Sequence, residues 1–403
     1  MYQRMVNRVT VLLVMLLLTF FVVKIAENHV EQRNAENQPA KKEETISLWY
    51  NNASYEPYLQ AAASAYQKEH SVRIELKKVG NLGYVTAIQE ANGKKEGPDI
   101  YIVENEYLQN IVRIGAVAKT VQDKEYSKEM FCNNTWNNME YENEIYGYPL
   151  GFDVTVLMYN KELTEKVPES FEQIMSLAKE QGILKWDTKN LLYNYEFVAF
   201  YADICGESGY ETSVNLDNQK LVEAAKEYQE LCECFIGEND FSYDDVKNSF
   251  FQGQLQYAIV SSDVLKIYKD WKIDTGFASL PDLNEKLKVS SFAVTDLAIV
   301  NGFSDEKEIA DDFAKYLSLG MADQMYSLCG VLPLAKTDSV PEESKVFYAS
   351  YESAISLPKL MSALNYKNEM KDALRKIKSG ADVNEVLDAL DESMSLQTET
   401  NSK

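Results

Sequence analysis

Histidine is nearly missing from this chain: His29 and His70 are the two among 403 residues. That rules out a His-rich metal centre and a Ser-His-Asp triad as starting points. Glycine is scarce as well, at 17, and no Gly-rich phosphate loop, dinucleotide fingerprint, GxSxG elbow or HExxH pair occurs. Basic residues are outnumbered 40 to 63, for a net charge of −23. Nucleic acid is therefore excluded as a partner, because phosphate binding needs clustered Lys and Arg. The cysteines are Cys132, Cys205, Cys232, Cys234 and Cys329. An odd count leaves a thiol unpaired, and Cys232-Glu233-Cys234 is too tight for a zinc knuckle or a redox CxxC. A bridge from Cys205 to Cys232 or Cys234 stays open. We expect no metal and no cofactor.

What is present is an ordinary apolar fraction, 45%, in a chain long enough for roughly two domains. Tyrosine is plentiful, at 26, which suits a wet cleft where the ring packs and the hydroxyl finds a partner. Val9–Val23 is an uncharged apolar run preceded by Arg4 and Arg8, the pattern of an export signal. It is short of the ~20 residues of a spanning helix, so cleavage and retention both stand as readings. Lys24-Ile25-Ala26 makes a poor cleavage site, and no cysteine follows the run to carry lipid. We expect residues 1–26 to stay as an anchor with the rest of the chain outside the membrane. Residues 27–44 are polar and read as a linker.

Order is expected from Thr45. Strand alternation over 45–50, a polar turn, helical spacing over 56–68, a second strand over 72–76, a helix near 84–91 and a strand over 99–103 describe an open α/β sheet. Ligands on such sheets lie beyond the carboxyl ends of the strands. Further strands are expected over 156–159, 256–260 and 293–300. Helices are expected after a Ser170 cap, over 196–204, 220–234 and 306–318, and through most of 356–391.

Four ordered segments, Ile46–Gln67, Gly97–Val117, Tyr146–Leu163 and Phe251–Leu280, followed by Ala293–Ser318 and the helical C-terminal stretch, together resemble the extracellular solute-binding proteins of sugar ABC transporters, the maltose/maltodextrin-binding type. The resemblance implies an α/β, two-lobed periplasmic-binding-protein-like fold (type II), with lobes joined by a hinge of crossing strands near Gly151–Val154, Ala293–Leu297 and Met321. It divides the chain into 45–151 plus 296–320, 152–295 plus 321–391, and a disordered tail over 392–403. The implied function is capture of a small polar ligand, a carbohydrate first, by a monomer that hands it to an ABC permease and catalyses nothing. A cationic solute, a ligand-sensing receptor for a membrane signalling partner and a two-carboxylate hydrolase are the alternatives.

Carried onto this chain, the family's cleft positions fall on Tyr50, Asn51, Asn52 and Tyr55, on Glu104, Glu106 and Tyr107, and on Asp153, Asp263 and Asn365, with Tyr366 beside it; Tyr195 is a further ring that could supply a stacking face. Asp263 and Asn365 stand where sugar binders of this type often have a stacking tryptophan, and Val103 replaces a third aromatic. The acids are kept, which would leave an electronegative cleft.

Overall fold

In a computed structural model the described residues are Lys24 and 44–80, 82–120, 126–177, 183–204, 214–355 and 363–401. The apolar run at Val9–Val23, most of the linker and Cys205 lie outside them. Residues Met1–Thr45 with Ser71–Arg73 form one unit, and Ile46–His70 with Ile74–Lys403 form another. No helix among the described residues is long and apolar enough to cross a membrane.

Two sheets organise the large unit. The first has six strands, in the order Leu332–Pro333, Tyr148–Val154, Ala293–Val300, Ile100–Glu104, Glu44–Tyr50 and Val72–Lys78. Its strand residues bury alternately or wholly, with Ile46, Leu48 and Ile100 fully inaccessible, as expected where helices cover a mostly apolar sheet. Helix Glu56–Glu69 starts with Pro57 in its first turn and buries Leu59, Ala62, Ala63 and Tyr66 on one stripe. The second sheet has four strands, in the order Thr275–Ala278, Val156–Asn160, Tyr257–Val260 and Leu184–Lys185. Asn218 caps helix Gln219–Phe235 by accepting from the Leu221 amide at 2.8 Å. Ser170 caps helix Phe171–Leu177, its Oγ accepting from the Gln173 amide at 3.2 Å.

The chain passes between the sheets at three places that hydrogen-bond side by side. Strand Tyr148–Val154 stays paired with its neighbour through Val154, and the next strand, Val156–Asn160, belongs to the other sheet. Thr155 is thus the first crossing. Its amide donates to the Phe292 carbonyl at 3.2 Å, and its Oγ1 accepts from the Phe292 amide at 3.1 Å. The same hydroxyl donates to Glu196 Oε2 at 2.6 Å. Ile355 is the third crossing, donating to Ser291 and accepting from Ala293, both at 3.0 Å.

Three expectations change. The crossing placed near Met321 is at Ile355: helix Ala322–Cys329 packs on helix Glu56–Glu69, and Leu332–Pro333 extends the six-stranded sheet. Glu196–Ile204 is not a helix. A helical turn, Leu192–Tyr195, runs into turns and then a short strand, Asp203–Ile204. Every residue from Tyr193 to Ala199 is buried, and a surface helix has one stripe to bury, not its whole circumference. At the C-terminus, helix Val383–Asn401 runs through the stretch read as a disordered tail from Glu392, and its fully buried Met394 gives that stretch a packing partner. Cys132, Cys232, Cys234 and Cys329 carry free thiols.

Gly151, inside strand Tyr148–Val154, is closely packed. A Cβ there would overlap Val331 Cγ1 and come 2.8 Å from the Tyr55 hydroxyl and 3.0 Å from the Leu332 carbonyl. Gly151→Ala is therefore expected to destabilise the chain by about 1–3 kcal/mol. A urea unfolding midpoint equal to that of the native sequence would contradict this packing.

Candidate functional site

Strand pairing brings three carboxyl groups onto one face. Asp296 lies directly opposite Glu104, and Val294, two residues back on the same strand, lies opposite Asp153. Residues opposite one another, and residues two apart along a strand, point to the same side. The register slips between Thr295 and Leu297, so that Leu150 and Gly151 together face the single Asp296. Such a bulge re-aims side chains. Here it leaves room for Tyr55, which is fully buried and donates its hydroxyl to Asp296 Oδ2 at 2.8 Å.

Partners from the other sheet complete the group. Asp153 Oδ1 accepts from the Ser262 amide at 2.8 Å and the Ser262 hydroxyl at 2.5 Å. Ser262 follows strand Tyr257–Val260 of the four-stranded sheet. Glu106, in the turn after strand Ile100–Glu104, is held by Lys367, whose ammonium lies 3.1 Å from both carboxylate oxygens. Lys367 sits on helix Ala363–Lys378, which packs against helix Gln219–Phe235. Tyr193 adds a buried ring near Asp153 and Ser261, 5.5 Å from the ring of Tyr243.

Burial, and then the crowding of like charges, shows in the pKa values. Burial pushes the Glu104 carboxyl up to about 7, with the charges of Glu106, Asp296 and Asp153 adding to the shift and Lys367 opposing it. Burial also raises Asp296 to about 7, against the bond from Tyr55 and with help from Asp153. Asp153 is raised by burial and held back by Ser262. The Tyr107 hydroxyl is raised to about 12, by burial and then by Glu106 and Glu104.

The remaining expected site residues divide. Tyr50 is buried at the end of its strand. Asn51 is half-buried, and exposed Asn52 accepts from the Ser54 amide at 3.0 Å, shaping the turn. Asp263 is occupied within its own sheet, accepting from the Tyr243 hydroxyl, from Ser261 Oγ at 3.1 Å and from Lys247 at 3.4 Å. Tyr195 and Tyr366 belong to the apolar core of the four-stranded layer, Tyr195 edge-on to Phe292. Asn365 lies in helix Ala363–Lys378, and its side chain is outside the described residues. Sequence reading missed Asp296, Lys367, Tyr193 and Ser262. Asp296 did leave a signal: it is the one charge in the strand AVTDLAIV. Two concave pockets, of about 230 and 570 Å³, are lined by other residues, including Leu191, Tyr228 and Lys378 in the first and Cys132, Lys336 and Tyr348 in the second.

The family model for bacterial extracellular solute-binding proteins matches residues 61–349. The chain belongs to that family. It is 21% identical over 303 residues to the maltodextrin-binding protein MdxE of Bacillus subtilis, covering 70% of this chain and 71% of that one. It is 22% identical over 328 residues to a maltooligosaccharide ABC transporter solute-binding lipoprotein of Streptococcus pneumoniae, covering 76% and 74%. Among solved structures, the maltose-binding protein MalE of Listeria monocytogenes in complex with maltose superposes with a TM-score of 0.77 at 18% identity, over 89% of this chain and 99% of that one. A cyclo/maltodextrin-binding protein complexed with maltotetraose gives 0.78 at 16%, over 90% and 99%. The fold is therefore the two-lobed, type II solute-binding architecture, and the chain is an extracytoplasmic solute-binding protein.

The raised pKa values fix a pH dependence. Unfolded, Glu104 and Asp296 titrate near about 4. Between about pH 4 and 7 the folded chain then holds more protons than the unfolded one, so stability falls as pH rises through that window and the loss is complete above it. Asp296→Asn keeps an acceptor for Tyr55 and removes one titration. It is expected to gain on the order of 2 kcal/mol over the native chain at pH 8 and little at pH 4. Parallel stability profiles for the two proteins would contradict the assignment.

Proposed function

We propose that this protein captures a carbohydrate of the maltooligosaccharide class between its two lobes and delivers it to an ABC permease without chemically changing it. The observation that carries this reading is the meeting of Glu104, Asp296 and Asp153 on one sheet with Ser262 and Lys367 from the other side, next to the crossings. Carboxylates accept hydrogen bonds from sugar hydroxyls, and tyrosine rings such as Tyr107 and Tyr193 offer flat faces for C–H surfaces. The names of the relatives support the ligand class and the transporter context. A ligand touching both lobes would favour their closure by its differential contacts, with Thr155, Phe292 and Ile355 as the pivot. The expected lobe division becomes residues 46–154 with 293–354 on one side and 156–291 with the C-terminal helices on the other. The protein acts as a monomer.

Maltotriose is expected to raise the melting temperature of the purified chain, with stabilisation approaching about 2.7 kcal/mol at a hundredfold excess over Kd. Glu106→Gln and Asp153→Asn each weaken binding by about 10- to 100-fold, the worth of one charged hydrogen-bond partner. Flat melting curves across maltose to maltopentaose would contradict the carbohydrate reading, and release of new reducing ends would contradict the absence of catalysis.

The Streptococcus pneumoniae relative is named as a lipoprotein. Here the first cysteine is Cys132, so the proposed attachment is the apolar run Val9–Val23. Membrane fractionation with mass spectrometry of the N-terminus tests it. Retention of residues 1–26 in the membrane fraction is expected, and a mature chain beginning near Glu27 would overturn it.

A further inference from the structure

Four carboxyl groups, Glu104, Glu106, Asp153 and Asp296, meet at this site, and among the described residues Lys367 is the cation whose charge reaches Glu104. Its ammonium is held rather than free to sweep through solvent. The helix that carries it buries Met370, Leu374 and Ile377 in the apolar core, and the ammonium bonds both oxygens of Glu106 at 3.1 Å. The Glu106 side chain is 8% exposed and that of Lys367 is 31% exposed. The pair is thus sheltered at the carboxylate and partly open to solvent at the ammonium.

We propose that Lys367 is a built-in counter-ion that reserves the site for uncharged, hydroxyl-rich solutes and turns away amines. The inference rests on the proposed entry of solute at this cluster. Without Lys367, four carboxyl groups would draw in any small cation, because charge-assisted hydrogen bonds to carboxylates are the strong ones. With it, an incoming ammonium must either displace a bonded ammonium or settle close beside it, and like charges at short range in a poorly solvated site are costly. A sugar hydroxyl carries no charge. It donates to carboxylate lone pairs that Lys367 leaves open, since each carboxylate has about four such positions. Selection against the wrong solute here comes from a repulsive group already in place.

Isothermal titration of the full chain and of Lys367→Met and Lys367→Arg, with maltotriose and with 1,4-diaminobutane, tests the inference. The diamine is expected to bind Lys367→Met about tenfold or more tighter than the native chain. Lys367→Arg keeps the charge and is expected to match the native chain toward the diamine. Equal diamine affinity in the native chain and Lys367→Met, both shown to be folded by circular dichroism, overturns the inference. So does tight diamine binding by the native chain. A native chain that binds no maltooligosaccharide, together with a gain of diamine binding in Lys367→Met, upholds the counter-ion role while removing the carbohydrate reading. Should Lys367→Met fail to fold, Lys367→Gln carries the same comparison.

Discussion

Like charges do not gather in a protein interior by attraction, and sheet register is what holds Asp153, Asp296 and Glu104 together here. Each then needs donors. Tyr55 serves Asp296 with its hydroxyl, which lies against Gly151. Ser262 serves Asp153 from the other sheet, and Lys367 serves Glu106 from the C-terminal helices. The demand of the carboxylates for partners therefore links the two sheets at the place where the chain crosses between them. Removing one partner leaves a poorly solvated charge, which is more damaging than the loss of the bond alone.

The crossing itself is backbone-built. Thr155, Phe292 and Ile355 exchange main-chain hydrogen bonds, and a buried carboxyl, Glu196, receives the Thr155 hydroxyl. Burial raises the pKa of Glu196 well above the usual carboxylate range, which favours its neutral form. A short, bonded pivot of this kind confines motion to a few dihedral angles, which is what two rigid layers need in order to open and close as bodies.

Much of this was legible in the sequence. Alternation in Ile46–Tyr50 and Ala293–Val300, the Ser170 cap and the helical spacing within Gln219–Phe235 are local signals, and the elements formed where those signals lie. The crossings came from the family resemblance, which set two of them within a few residues of Thr155 and Phe292. The third was misplaced because nothing local distinguishes Met321 from Ile355; the difference is which sheet Leu332–Pro333 joins. The site shows the same division. Glu104 ends its strand, Glu106 follows that strand and Asp153 lies near the end of another, places that a reading of strand ends picks out. Asp296 depends on pairing with a residue almost two hundred positions away, and Lys367 on how a distant helix docks. Tyr195 was named as a ring that could supply a stacking face; the structure packs it in the apolar core and places Tyr193 near Asp153. The tryptophans absent at Asp263 and Asn365 are not replaced in place: Asp263 is engaged by Tyr243 and Lys247.

Identities of 16 to 22% to the relatives fit this picture. Layered α/β architecture depends on patterns that many sequences satisfy, whereas solute contacts depend on single side chains. A crystal structure of the chain grown with maltotriose is the most direct test of where solute goes. The account predicts sugar hydroxyls within hydrogen-bond distance of Glu104, Asp153 or Asp296, with groups of both sheets in contact. Sugar seated instead in the pocket beside Cys132 and Tyr348, with the carboxylates unengaged, would contradict it.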